Sequence, residues 1–162
     1  MADTVPNEVA GPLTGNVQPG GVTLWMYASP SSTCSYTYQA EGAGQKEKQS
    51  GKFTAVTNQA AKGLGQIFKS TLDGLAPDTL YQYQVSIDGK SDSSWEGSFK
   101  TAPIKGRSTA FRMAITSCMK IRRPQGSWNL LLAEQPDFHL TVGDTHYADT
   151  TDPTVQLKHH VT

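Results

Sequence analysis

Leu72–Gly89 reads LDGLAPDTLYQYQVSIDG, and its second half alternates without a break. Leu80, Gln82, Gln84 and Ser86 fall on one side, and Tyr81, Tyr83, Val85 and Ile87 on the other. Successive side chains of a β-strand point to opposite faces, so this pattern predicts a strand with one aromatic–aliphatic face against a core and one face in water. The Asp73-Gly74 step and the Ala76-Pro77-Asp78 run before it are turn chemistry.

Working outward, the same grammar fills the chain from Thr4 to about Pro103. GVTLWMYA (Gly21–Ala28) sets Val22, Leu24 and Met26 against Thr23, Trp25 and Tyr27, and CSYTYQAE (Cys34–Glu41) sets Tyr36 and Tyr38 against Thr37 and Gln39. Lys52–Thr57, Gly65–Leu75, Thr79–Asp88 and Trp95–Ala102 follow, separated by Gly, Pro, Asn, Asp and Ser, with a further strand expected near Val9–Val17. About seven short strands are the count of an immunoglobulin- or fibronectin-type sandwich. The LDGLAPDTLYQYQ stretch resembles the loop and strand of fibronectin type III domains. That resemblance implies a corner role for Tyr81, with its ring buried and its hydroxyl bonded back to the loop.

After Pro103 the pattern changes. STAFRMAITSC (Ser108–Cys118) is an apolar run ending in Thr116, Ser117 and Cys118. Ser127 reads as a helix N-cap, Trp128 to Glu134 as a short amphipathic helix, and Pro136 as its stop. DFHLTVGD (Asp137–Asp144) reads as a second buried strand. Strand, helix and strand in so few residues predict a βαβ unit with parallel strands. The boundary falls in Ala102–Ala110, giving a sandwich domain over 1–103 and a second domain begun over 104–162.

Ligands of open α/β sheets bind beyond the carboxyl ends of the strands. Parallel neighbours lie about 5 Å apart, so Cys118 and Asp144, at the two strand ends, are expected to meet one ion. Tyr147 follows three residues later and points back to the same place. A thiolate, a carboxylate and a phenolate suit a strongly charged cation such as iron(III), since free tyrosine keeps its proton to about pH 10. The bland alternative for Cys118 is a small buried hydrophobe. His139, inside the second strand, reads as a satisfied core or surface histidine, and His159 and His160 as solvated. A cysteine-phosphatase loop (C-x5-R) is excluded because position 124 is Pro, and phosphate-cradling glycine patterns are absent.

FRMAITSC followed by QGSWNLLLAEQPDFHLTVGDTHYAD resembles the beginning of the catalytic domain of PhoD-like alkaline phosphatases, of the calcineurin-like metallophosphoesterase superfamily, which carry a sandwich domain in front. The resemblance implies a phosphoric ester hydrolase acting on phosphomonoesters or diesters. It makes Cys118, Asp144 and Tyr147 ligands of iron(III), and Asp144 a bridge to a second metal, calcium in this group. His146, in an Asp-x-His pattern with Asp144, and Asp149 are at best candidates to support those ligands through hydrogen bonds. Purple acid phosphatases share Gly-Asp-x-x-Tyr and a sandwich but carry an Asp motif where Ser117-Cys118 stands, which makes them the more distant resemblance. The family's downstream Asn-His motif and further His ligands do not occur in these residues, so the chain is expected to be the N-terminal portion of a longer enzyme and inactive by itself. The alternative is a fibronectin-like interaction module with a non-catalytic tail.

Acids and bases balance at 14 each, with no basic stripe, so no nucleic-acid-binding patch is expected. No apolar run approaches the length of a membrane helix, and MADTVPNEVAGP shows no signal peptide. Periplasmic or secreted location is implied by the resemblance alone. The two cysteines, Cys34 and Cys118, do not make a disulfide framework; their spacing leaves a single bridge between them open, and the iron-bound Cys118 that the resemblance implies would not be available for it.

Overall fold

The computed structural model describes residues 9–57, 64–119, 124, 126–145 and 147–161. The chain divides into two compact units, one running through Arg107 and the other from Ser108 through His160.

In the first unit, β1 (Ala10–Gln18), β2 (Gly21–Ala28), β3 (Cys34–Ala40), β4 (Gln49–Lys52), β5 (Thr54–Val56), β6 (Gln66–Asp73), β7 (Leu80–Ile87) and β8 (Lys90–Lys100) build two four-stranded antiparallel sheets. Their orders are β1-β2-β6-β5 and β4-β3-β7-β8. The alternation read from the sequence supplies the core between them. Val22, Leu24 and Met26 come from β2, Phe68 and Leu72 from β6, Tyr36 from β3, and Tyr81, Tyr83, Val85 and Ile87 from β7. Leu24, Met26 and Val85 are wholly shielded from water. Tyr81 stacks on Phe99 at 5.4 Å between ring centres. Its hydroxyl accepts the N–H of Ala76 at 2.9 Å, the corner expected of it.

Two differences from the expected strands have local causes. Lys52–Thr57 is not one strand, because β4 pairs with β3 and β5 with β6 in the other sheet. The chain changes sheets at Phe53, whose N–H bonds to the Cys34 carbonyl at 3.0 Å and whose ring meets Tyr36 edge-on at 5.2 Å. β8 begins at Lys90, well before Trp95, because Asp88 and Gly89, both at positive φ, close a two-residue hairpin that pairs Ile87 with Lys90. Tyr36 and Tyr83 each face a glycine on the neighbouring strand, Gly51 and Gly97. A Cβ at either glycine would run into the tyrosine ring, so these positions hold the two aromatics flat against the sheet.

In the second unit, β9 (Met113–Thr116) and β10 (Phe138–Thr141) pair in parallel, from Phe138 beside Met113 to Thr141 beside Thr116, with α1 (Ser127–Ala133) between them in sequence. α2 (Pro153–Val161) follows. Several expectations need correction here. The strands are shorter than the apolar runs, and Met113, Ile115, Phe138 and Leu140 are about half exposed. The run expected as a buried strand therefore lies in a two-stranded sheet, which among the described residues has no third strand to cover it. Ser127 is the first helical residue; Gly126 stands at the N-cap with no side-chain bond. α2 was not expected, although Asp152-Pro153 is a helix start: the Asp152 carboxylate accepts the N–H of Thr154 at 2.8 Å. No helix among the described residues is long and apolar enough to cross a membrane.

Candidate functional site

The parallel pairing carries both strand ends to the same edge. Beyond Thr116 and Thr141 the two loops are tied by main-chain bonds, from Val142 N–H to the Thr116 carbonyl at 2.8 Å and from Met119 N–H to the Asp144 carbonyl at 2.9 Å. At the other end Arg112 holds the unit together. Its N–H donates to the Asp137 carboxylate at 2.7 Å and its guanidinium to the Glu134 carbonyl at 2.9 Å.

This frame brings Cys118, Asp144 and Tyr147 together. The Cys118 thiol donates to Asp144 Oδ2 at 3.5 Å, and the Tyr147 phenol lies close enough to both for them to shift its titration. The bond to Cys118, then burial, then the Asp144 charge push the Tyr147 phenol up to about 12, so without a cation it stays protonated. All three groups are exposed. The backbone here is unusual: Cys118, Asp144 and Tyr147 have φ of 59°, 50° and 50°, and Gly143 has 97°. Asp tolerates the left-handed region; Cys and Tyr seldom adopt it. Residues held there cost on the order of 1–3 kcal/mol each and gather at ligand clamps and active sites.

Among the described residues no group of three His, Cys, Asp or Glu side chains is placed to hold a metal. With the phenol counted, the chemistry of the donor set fits part of one: a thiol, a carboxylate and a phenol close together, a set able to supply anionic sulfur and oxygen donors to a cation. Asp149 is exposed on the same loop at φ 48°. Among the described residues no hydrogen bond joins it to the three. His146 lies outside the described residues. His139 bonds through Nε2 to Thr116 Oγ1 at 2.6 Å and meets Trp128 edge-on at 5.2 Å, the satisfied surface histidine expected. A cavity of about 300 Å³ beside Cys118 is lined by Thr116, Ser117, Met119, Ser127 and Trp128. The sequence offered no signal for it beyond the helix start at Ser127. Both cysteines are free thiols, Cys34 buried and Cys118 exposed.

A family model described as Purple acid Phosphatase, N-terminal domain, matches residues 19–101, just over half of the chain. The chain belongs to the purple acid phosphatase N-terminal domain family. The match lies within the sandwich and gives the first unit its family. Two solved structures extend the likeness. One, described as the structure of PhoD, aligns with a TM-score of 0.63 at 19% identity over 88% of this chain. The other, purple acid phosphatase PPD1 from yellow lupin (Lupinus luteus) seeds, aligns with a TM-score of 0.67 at 17% identity over 90%. At these identities the likeness is one of fold. The chain spans 28% and 31% of the lengths of those two proteins. No curated protein sequence matches it. A phosphatase-family origin follows from the family model, and it is the purple acid phosphatase domain, expected as the more distant resemblance, whose model matches.

Proposed function

We propose that this chain supplies the N-terminal sandwich and the first metal donors of a metal-dependent phosphoesterase of the PhoD-like kind, acting on phosphomonoesters or diesters. The observation that supports this most is the convergence of Cys118, Asp144 and Tyr147, from two loops, at positive φ. Ser117-Cys118 at the end of β9, where purple acid phosphatases carry an Asp motif, favours the PhoD-like assignment within the phosphatase relationship. In this reading Cys118, Asp144 and Tyr147 hold iron(III), and Asp144 also reaches a second divalent metal, calcium.

When bound, the metals would supply Lewis acidity toward phosphoryl oxygens and a water acidic enough to attack phosphorus. The chain's own residues position and charge the site. The tie between Met119 and Asp144 fixes the two loops against each other, Gly143 lets the chain turn without a side chain beside the carboxylate, and Tyr147 holds its proton until a cation takes its place. Cys118 and Tyr147 act as anionic donors rather than nucleophiles.

The test is iron loading of the complete gene product, read by elemental analysis, by visible absorption from tyrosinate bound to iron(III), and by phosphatase assay. Wild type is expected to bind iron and absorb in the visible. Tyr147→Phe is expected to lose the colour, and Cys118→Ala to lose iron. A colourless, iron-free protein after loading would sink the proposal. The second reading, an interaction module with a non-catalytic tail, is favoured by the family match falling wholly within the sandwich.

A further inference from the structure

Cys118 belongs to two places at once. One is the donor set with Asp144 and Tyr147. The other is the cavity of about 300 Å³, lined by β9 and its loop on one side and by α1 on the other. That volume is at the low end of the range of about 300–1,000 Å³ common for ligand sites. The walls mix hydroxyls with apolar groups, Thr116 and Ser127 beside Met119, Trp128 and Leu131, which is the usual make-up of a small-molecule pocket. Trp128 is held in place. Its ring meets that of His139 at 5.2 Å with the planes 81° apart, and His139 Nε2 is bonded to the Thr116 hydroxyl at 2.6 Å. The same hydroxyl reaches Met119 Sδ at 3.9 Å. Through His139 of β10 and Thr116 of β9, the indole is a wall tied to the strand that leads into Cys118.

We infer that this cavity takes the organic group of the phosphoester, and that Trp128 selects esters whose alcohol carries a single aromatic ring. The inference rests on the reading of Cys118, Asp144 and Tyr147 as metal donors. With the phosphoryl group at a metal that Cys118 holds, the recess open to the rest of the ester is the one that Cys118 itself lines. A cavity of about 150 Å³ is enough for benzene, so this one has room for one substituted ring but not for a long chain. Aromatic rings favour offset or edge-on contact with one another beyond the burial of their area, a contact that Trp128 offers and an alkyl group cannot return. In the reaction a water oxygen bonds to phosphorus, the bond between phosphorus and the ester oxygen breaks, and the alcohol departs with a proton from that water. Its ring then leaves the cavity.

The test compares benzyl phosphate with propyl phosphate on the iron-loaded complete gene product. Both are esters of primary alcohols, so the departing groups are chemically alike. Wild type is expected to favour the benzyl ester in kcat/KM by about tenfold or more, as for one group placed in an apolar pocket. Trp128→Ala should remove that preference through KM, keep the propyl rate, the iron content and the visible colour, and weaken calorimetric binding of benzylphosphonate to the same degree. Trp128→Phe should restore most of it. Ser127 is exposed, so Ser127→Trp fills the cavity without displacing a packed side chain. It should exclude the benzyl ester and spare the propyl one, which decides the matter should Trp128→Ala fold poorly. An iron-free wild type, or one inactive on both esters, overturns the metal-dependent reading and this inference with it. An iron-loaded, active wild type without benzyl preference, or a Ser127→Trp protein that treats both esters as wild type does, overturns this inference alone.

Discussion

The thiol of Cys118 and the carboxylate of Asp144 stand 3.5 Å apart although 26 residues separate them in the chain. Parallel pairing of β9 with β10 makes this possible, because it ends both strands at one edge and leaves both loops to turn over it. The left-handed conformations of Cys118, Asp144 and Tyr147 then aim three donors at one another.

Exposure separates the two thiols. In the folded chain a disulfide reagent such as DTNB at pH 8 should titrate one thiol rapidly, and Cys118→Ala should abolish that phase. Cys34, only 3% exposed and with its thiol pushed up to about 11 by burial and then by the Asp88 charge, should react only when urea is added. Reaction requires an accessible thiolate. Rapid reaction of both thiols, or of neither, would contradict the structure.

Tyr81→Phe keeps the ring stacked on Phe99 but leaves the Ala76 N–H without its acceptor. Loss of one partner of a part-buried bond costs about 1–3 kcal/mol, so the urea midpoint should fall with an unchanged slope. Tyr81→Ala removes the ring as well and should cost about 3–5 kcal/mol, in the range of large-to-small aromatic replacements. Equal stabilities for wild type and Tyr81→Phe would remove the corner from the account of the fold.

The sandwich was legible because two-residue alternation maps directly onto a sheet with one wet face. Val22, Leu24, Met26 and Tyr81, Tyr83, Val85 are buried where the pattern put them. The start of β8 was not legible, since Lys90–Ser94 carries no apolar residue and pairs through the Asp88-Gly89 turn alone. The change of sheets at Phe53 was hidden because a strand crossing between sheets keeps its β character. Apolar runs such as Phe111–Ile115 record burial wanted rather than burial achieved, and Phe111, Met113 and Ile115 are exposed. At the candidate site the residue types and spacing were readable. The positive φ angles were not, because Cys and Tyr, unlike Gly, do not advertise them.

Asp78 closes the turn before β7, and Lys100 Nζ lies 2.8 Å from its carboxylate. The bond to Lys100, and then the lysine's charge, hold this carboxyl below its ordinary value of 3.8. A depressed folded value contributes stability that is present above the unfolded value and lost as pH falls through the folded one. Asp78→Asn tolerates the local φ of 52° and lacks the charge. Wild type should therefore be the more stable at neutral pH, with the gap closing as pH drops below about 4. Added salt should narrow the gap as well, because the pair is at the surface. A gap that persists at pH 2 would show that the ion pair is not its source.

Cys34 gives the opposite dependence at the alkaline end. Its thiol, ordinarily near 9.0, is pushed up to about 11 in the folded chain, so between those values the folded state holds a proton that the unfolded state releases. A raised folded value contributes stability that is fully present below the unfolded value and lost as pH rises through the folded one. Cys34→Ala removes a core group and should be less stable at pH 8, but its stability should fall less steeply from pH 9 to 11. Burial also raises Tyr83, and its contribution should weaken further above pH 10 in both proteins alike. Urea midpoints measured at pH 8, 9, 10 and 11 test this. The two curves should converge as pH rises, and curves that stay parallel across that interval would place the thiol outside the buried environment assigned to it.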